Sequence, residues 1–397
     1  MALDMSRSPS DRPRPLLAYD ELTLLAFISG GVLLVLALSR HFRDRDFDIF
    51  YASVVNLAQH ADPYGGRLGA FNTNPPHLAG LMLPLSAFTL TAAYWIWTAI
   101  SLAAILAAAF IARRARTLAL TRGIGAVFLA YSGTFYQLAG GQVAWLLALP
   151  MTLAWAGGPT LASGFLVGCC ATVKPFLFLF GLYFLWRRQW RSVAGFAAGS
   201  LLTLGIGIAA LGWPVYRSWA GALGRLNTAF LYSNGSIYGI VAKVSQPEGL
   251  NLLGAVTARG IWFLASAVVG AMALWALRGR EHHDLEWAIV VLTALLISPL
   301  GQPYYLALAL GPLWTVLPRM AWPRWGLGVL ALFWWPNLLT SPDVPTKLWQ
   351  LIPYNLMALG LISLWAILLF AGIPPARDDG EATSTASSLP PPLRRSW

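Results

Sequence analysis

The chain has 397 residues, 57% of them hydrophobic and 11% charged, with a mean hydropathy of +0.61. That balance excludes a soluble globular protein. With repeated apolar runs and no alternating strands, it leaves an all-α helical membrane bundle. The formal charge of +11 does not point to nucleic acid, because most arginines flank apolar runs, as cytoplasmic ends of membrane spans do.

Residues 1–21 are polar and carry Arg7, Arg12 and Arg14 ahead of the first apolar run, Leu22–Leu38. The span is therefore read as retained rather than cleaved, with the N-terminus in the cytoplasm and the following loop, residues 41–77, outside. That loop is neither apolar enough to span nor simple enough to be a linker. It holds Asp44, Asp46, Asp48 and Asp62, four of the chain's 16 acidic residues, together with Arg43, Arg45, His60, Arg67 and His77. Phe47–Val55 can form an amphipathic helix in the interface. Asp62-Pro63-Tyr64-Gly65-Gly66 is turn chemistry, and Asn74-Pro75-Pro76 opens a helix with its prolines at the first positions.

Leu78–Phe88 is too short to span and reads as a half-inserted helix. Ala92–Ala112 runs inward to Arg113, Arg114 and Arg116. Ile124–Leu138 returns to Gly140-Gly141-Gln142, and Val143–Ala156 comes back. Leu161–Val173 and Phe176–Trp186 are hinged outside at Lys174-Pro175, which leaves Arg187, Arg188 and Arg191 inside. Val193–Leu211 leads to a second external segment, residues 213–259, with Arg217, Arg225, Asn234 and Lys243. Ile261–Leu277, Trp287–Ile297, Leu306–Leu317, Gly326–Leu338 and Leu348–Phe370 follow, for about 10–12 spans in all. One membrane domain, residues 22–372, is thus expected, followed by a disordered cytoplasmic tail over 373–397. Cys169 and Cys170 read as small core residues.

A carboxylate at the lipid boundary pairs or works. Asp46, with Asp48 two residues on, can serve as a general base near Phe50 and Tyr51; equally, these aspartates can pair with Arg43 and Arg45 on a solvated face. Lys174, in an otherwise apolar run, is a phosphate ligand at a broken helix or a lysine snorkelling to the interface. Gln142 and Asn234 sit in glycine-containing external caps that suit phosphate or sugar hydroxyls, although simple turns look the same. Gln302 and Tyr304 can contact sugar, or belong to the aromatic belt. Arg217 and Arg225 are further candidates for the phosphate. His282-His283 is set aside as a metal site, and the chain has no P-loop, nucleotide-binding glycine motif or HExxH.

Taken in order, Asp46-Phe47-x-x-Phe50-Tyr51-Ala52, Asp62-Pro63-Tyr64, Pro75-Pro76 and Leu83-Pro84-Leu85 resemble glycosyltransferase family 87. The likeness continues through Gly141-Gln142, the glycine-rich Gly164–Lys174-Pro175, Trp186-Arg187-Arg188-Gln189-Trp190 and Ser298-Pro299. That family lies within the C-type superfamily of polyprenyl-phosphate-dependent membrane transferases (GT-C). The resemblance implies a GT-C helical bundle in the bacterial inner membrane, with its active site facing the periplasm. It implies an external loop with the catalytic aspartate, here Asp46, and a polyprenyl-phosphate sugar donor. It implies a lipid or glycan hydroxyl as the acceptor. Tyr51, Arg67 and His77 of the first loop join Lys174, Gln142, Arg217, Arg225, Asn234, Gln302 and Tyr304 as substrate-binding candidates. The chain departs from the pattern at Asn74, where an aromatic often precedes the double proline. It departs again at Gln302-Pro303-Tyr304-Tyr305, where relatives tend to carry a histidine or an acidic group. A phosphate leaving group lessens the need for an acid or a metal, so no cofactor, metal or obligate protein partner is called for. The competing class is a transporter or flippase of lipid-linked sugar; against it, the polar groups cluster outside and no inverted repeat is visible.

Overall fold

The computed structural model describes residues 46–115, 128–129, 131–225, 234–246, 250, 252–280, 282–317 and 345–370. The expected first span Leu22–Leu38, Asp44 with Arg43 and Arg45, the start of Ile124–Leu138, the span Gly326–Leu338 and the tail lie outside these residues. Every regular element among the described residues is helical.

The first loop folds as α1 (Asp46–Ala58), α2 (Gly66–Gly69) and α3 (Pro76–Leu81), followed by a 3₁₀ turn at Leu83–Ala87. In α1, Phe47, Phe50, Ser53 and Val54 are buried, one face of a helix lying on the bundle. Asp62 shapes the expected turn by accepting the Tyr64 amide on its side chain at 3.0 Å. The expected half-inserted helix is thus a short helix plus a 3₁₀ turn, broken at Pro84.

The bundle continues with α4 (Leu90–Ala115), α5 (Ser132–Gly140), α6 (Ala144–Ala156) and α7 (Leu161–Val173). After a 3₁₀ turn at Pro175–Phe178 come α8 (Leu179–Trp186), α9 (Trp190–Leu211), α10 (Trp213–Arg225) and α11 (Ile237–Val244). Then follow α12 (Ala255–Leu277), α13 (His283–Ile297), a 3₁₀ turn at Pro303–Ala309, and α14 (Leu310–Val316). The described chain closes with α15 (Leu351–Tyr354) and α16 (Leu356–Phe370).

Among the described residues, α4, α9 and α12 are each long and apolar enough to cross a bilayer, and the bent segment ending in α16 is a fourth candidate. At 1.5 Å per residue, α4 alone reaches about 39 Å. Leu201, Ile206, Phe263, Leu264 and Trp275 turn outward as an apolar surface that water would not tolerate and lipid would.

The segment expected over residues 213–259 runs into α12, which starts at Ala255 and takes Arg259 into a helix. One expectation changes. Leu348–Phe370 is not one straight span but turns by 62° at Asn355. Lys243 braces the bend: its ammonium bonds the Tyr354 carbonyl at 3.0 Å and the Asn355 side chain at 3.2 Å.

The closest helix pairing is that of α7 with α9, which run parallel. A Cβ on Gly164 or Gly168 would run into the backbone of Ser192 or Phe196; one on Gly195 or Gly199 would run into Leu161 or Phe165. Small residues four apart on both helices let two backbones touch, the packing that lipid favours where it offers no hydrophobic drive. The pair seats α7 against α9, and α7 ends at the Lys174 cap.

Candidate active site

Asp46 is the first residue of α1, and its carboxylate accepts a hydrogen bond from Gln142 Nε2. Gln142 is brought there by the turn that closes α5. Gly141 adopts φ +67°, and a Cβ on it would sit 2.5 Å from the Cβ of Phe47. Glycine is thus required twice over, by the left-handed backbone and by the close approach of α1. The turn is pinned from α4 as well. Trp97 Nε1 donates to the Gly141 carbonyl at 2.9 Å, and the Tyr94 hydroxyl donates to the Leu138 carbonyl at 2.7 Å. Gln137 donates its side-chain amide to the Gln142 carbonyl. These contacts leave the Gln142 amide aimed at Asp46.

Asp48 shares the first turn of α1 and is also half-buried. Two positions along a helix are about 200° apart around its axis, so the two carboxylates face different ways. The Gln142 turn meets Asp46.

Lys174 caps α7 at the break before Pro175, where it is half-buried. Its Nζ donates to Asn74 Oδ1 at 2.8 Å and lies 5.2 Å from the centre of the Tyr305 ring. It is near enough to Asp46 for its charge to act on that carboxyl. Burial pushes the Asp46 carboxyl above the ordinary carboxylate range, while the Gln142 hydrogen bond and the Lys174 charge pull it partly back.

The segment after α13 supplies the remaining wall. Gln302 is buried, and its Oε1 has no hydrogen-bond partner among the described residues. Tyr304 is half-buried against Tyr305, with ring centres 4.7 Å apart, and Tyr305 packs on Phe176 at 5.2 Å.

The other sequence candidates sit elsewhere. The Tyr51 hydroxyl donates to the Phe88 carbonyl at 2.6 Å and fastens α1 to the end of the 3₁₀ turn. Arg67 and Arg217 are exposed, and the Arg225 side chain lies outside the described residues. Asn234 is fully buried. Its amide donates to the Pro299 carbonyl at 2.9 Å, and its Oδ1 accepts the amides of Ser236 and Gly301. These bonds staple the start of α11 to the Ser298–Gln302 turn. His77 Nδ1 meets the Tyr216 hydroxyl at 3.0 Å and so joins α3 to α10. Burial holds this imidazole down, at a pKa of about 4. The same joint includes Trp219 Nε1 donating to the Thr73 carbonyl and Ser218 donating to Asp62.

At the opposite end of α8 a second buried polar cluster forms. Glu286 accepts from the Tyr183 hydroxyl at 2.7 Å and pairs with Arg187 at 3.0 Å; Asp284 accepts from Trp155 Nε1 and the Thr315 hydroxyl. His283 is committed to the Trp155 carbonyl. Asp284, Glu286 and Asn72 are not singled out from the sequence, and Asn74 enters there only ahead of the two prolines and as a departure from the family pattern. Their charge and amide character in an apolar setting was the available signal.

Comparison with known proteins follows the same lines. The family model of glycosyltransferase family 87 matches residues 72–299, more than half of the chain. A curated relative is the polyprenol-phosphate-mannose-dependent alpha-(1-2)-phosphatidylinositol pentamannoside mannosyltransferase of Mycolicibacterium smegmatis. It is 28% identical over 323 residues, which cover 76% of this chain and 75% of the relative. No solved structure matches the chain.

Proposed function

The chain belongs to glycosyltransferase family 87, and from that premise we propose that it moves a sugar from a polyprenyl-phosphate donor to a lipid or glycan hydroxyl. Transfer takes place at the periplasmic face of the bacterial inner membrane, inside a GT-C bundle of about 10–12 spans. Residues 22–372 form this one domain, with residues 1–21 and the tail from 373 in the cytoplasm.

The single observation that carries the reading is the bond from Gln142 to Asp46 at the start of α1, with the Lys174 ammonium close enough for its charge to act on the same carboxyl. Asp46 takes the proton from the acceptor hydroxyl as that oxygen attacks the anomeric carbon. A base held above the ordinary carboxylate range keeps more proton affinity for that task than an exposed aspartate would. Gln142 holds the carboxylate in the attacking direction. Lys174 sits across from it with a charge for the donor's phosphate, which leaves with the bonding electrons of the C–O bond and needs no protonation to do so. Gln302 Oε1, buried and open to a donor, suits a sugar hydroxyl. The half-buried setting keeps bulk water from competing with the acceptor.

The test is incubation of membranes containing the chain with radiolabelled polyprenyl-phosphate mannose, the sugar named for the relative, and a lipid extract. Label should pass to an extractable lipid or glycan with wild type and fail to do so with Asp46→Asn. Transfer by Asp46→Asn at the wild-type rate, with Asp48→Asn inactive, would move the base to Asp48.

A further inference from the structure

The double asparagine ahead of the two prolines, in Asn72-Thr73-Asn74-Pro75-Pro76, is almost wholly buried: Asn72 is 3% and Asn74 2% exposed. Each amide has its orientation fixed by its neighbours. Asn72 donates Nδ2 to Ser53 Oγ on α1 at 2.9 Å, so its Oδ1 is the acceptor for the Asn74 backbone amide at 2.9 Å and for Asn74 Nδ2 at 3.2 Å. The Tyr64 hydroxyl holds the Asn74 carbonyl at 2.7 Å. With its N–H, Nδ2 and carbonyl all engaged, Asn74 presents Oδ1 in one direction, to Lys174 Nζ at 2.8 Å. A continuous chain of bonds thus runs from α1, the helix that starts with Asp46, to the lysine at the end of α7.

The chemistry of that contact is specific. Lys174 has one side-chain hydrogen-bond acceptor among the described residues and the Tyr305 ring beneath it. The nearby charge of opposite sign is Asp46. A neutral amide oxygen holds an ammonium in place without neutralising it, whereas a carboxylate at the same spot would pair with it and compete with an anionic ligand. Without any acceptor, the flexible lysine stem would let the ammonium relax toward Asp46 and occupy the base.

We propose that Asn74 is a positioning residue for the transfer reaction: it parks the Lys174 ammonium clear of Asp46, leaving the lysine open to the donor phosphate and the aspartate open to the acceptor. The proposal rests on the roles given above to Lys174 and Asp46. It adds a residue that makes no contact with the reacting atoms and decides whether the two charges work separately or cancel.

The test uses the full chain purified in detergent, as wild type, Asn74→Asp, Asn74→Ala and Tyr64→Phe. Farnesyl monophosphate is titrated as the phosphate-bearing probe, and transfer from polyprenyl-phosphate mannose is followed against pH. Asn74→Asp, nearly the same size, should bind the probe at least about tenfold more weakly and raise KM more than it lowers kcat. Asn74→Ala should lower kcat and move the acid limb of the rate profile to lower pH, because the relaxed lysine stabilises ionised Asp46. Tyr64→Phe loosens the same loop without touching Lys174 and should keep the wild-type acid limb, which separates positioning from mere loop folding. Wild-type probe affinity in Asn74→Asp, or an unmoved acid limb in Asn74→Ala, overturns the proposal while leaving the roles of Lys174 and Asp46 standing. A wild type that does not bind farnesyl monophosphate defeats the phosphate role of Lys174, and the proposal with it.

Discussion

Two lysines in apolar surroundings end up in opposite situations. Lys243, on α11, is fully buried, and its ammonium donates to the Asn234 carbonyl at 3.1 Å, the Tyr354 carbonyl at 3.0 Å and Asn355 Oδ1 at 3.2 Å. An ammonium has three hydrogens, and here each has an acceptor. Lys174 has one acceptor at 2.8 Å and an aromatic face. The first is a strut that ties α11 to the bend at Asn355. The second keeps donors in reserve beside a carboxylate. Burial alone does not distinguish a structural cation from a working one; the number of donors left over does. The Arg187–Glu286 pair, with Tyr183 completing the carboxylate, falls on the structural side of the same divide.

The largest effect expected from this contrast is at Asp46. Removing a general base typically costs about 10²–10⁴-fold in rate, so Asp46→Asn should lose that much transfer while its donor affinity and thermal melting stay close to wild type. An equal loss of melting temperature would make Asp46 a strut instead.

The lysines come next and should respond in opposite ways. Lys174→Gln should weaken donor binding by roughly ten- to a hundredfold, since a charge-assisted contact is worth about 1.5–3 kcal/mol. Lys174→Arg should recover part of that. Lys243→Met should leave its former acceptors bare, each at about 1–3 kcal/mol, and lower the melting temperature with little change in affinity per folded molecule. Paired titrations and melts on both variants check this; a swap of the two phenotypes would reverse the assignment.

Smaller shifts should appear against pH. Gln142 stabilises ionised Asp46, so Gln142→Leu should push the acid limb of the rate profile to higher pH. His77 is smallest of all. Its folded pKa, about 4, lies below its ordinary 6.5, so its contribution to stability is full above pH 6.5 and is lost as pH falls toward 4. Melting curves taken across that window should flatten in His77→Asn, and an unchanged slope would argue against a buried neutral imidazole.

Much of this could be read from the chain itself, and the reasons differ by element. Leu161–Val173 has the same bounds in the structure as in the sequence, because an apolar run meets a Lys-Pro pair that must stop it. The helix of the first loop and the proline-led start of α3 follow from local chemistry as well. What escaped was set at long range. Asn74 meets a lysine 100 residues away, and Gln142 an aspartate 96 away; no window along the chain joins them. Asn74 looked like a departure from a family pattern, although it is the lysine's partner. The proposed choice of Asp46 over Asp48 rests on something different: helical phase relative to a turn that the sequence does not locate. The bend at Asn355 is invisible in the sequence because hydropathy averages over it, and the lysine that braces it, Lys243, lies more than a hundred residues earlier.

The glycine contact between α7 and α9 works as a gauge block for the site. Both helices point the same way from that contact. One stops at Lys174; the other runs on to Gly207, where a Cβ would collide with the Tyr216 hydroxyl and come within 2.9 Å of the His77 Cβ. The distance between two backbones deep in the bundle therefore sets, at one stroke, how far the lysine projects and where the first loop is seated above it. Adding one methyl at Gly168 would change neither charge nor any catalytic side chain, yet it would lift both ends out of alignment. The tolerance of the candidate site is fixed a helix length away from it, by atoms that are not there.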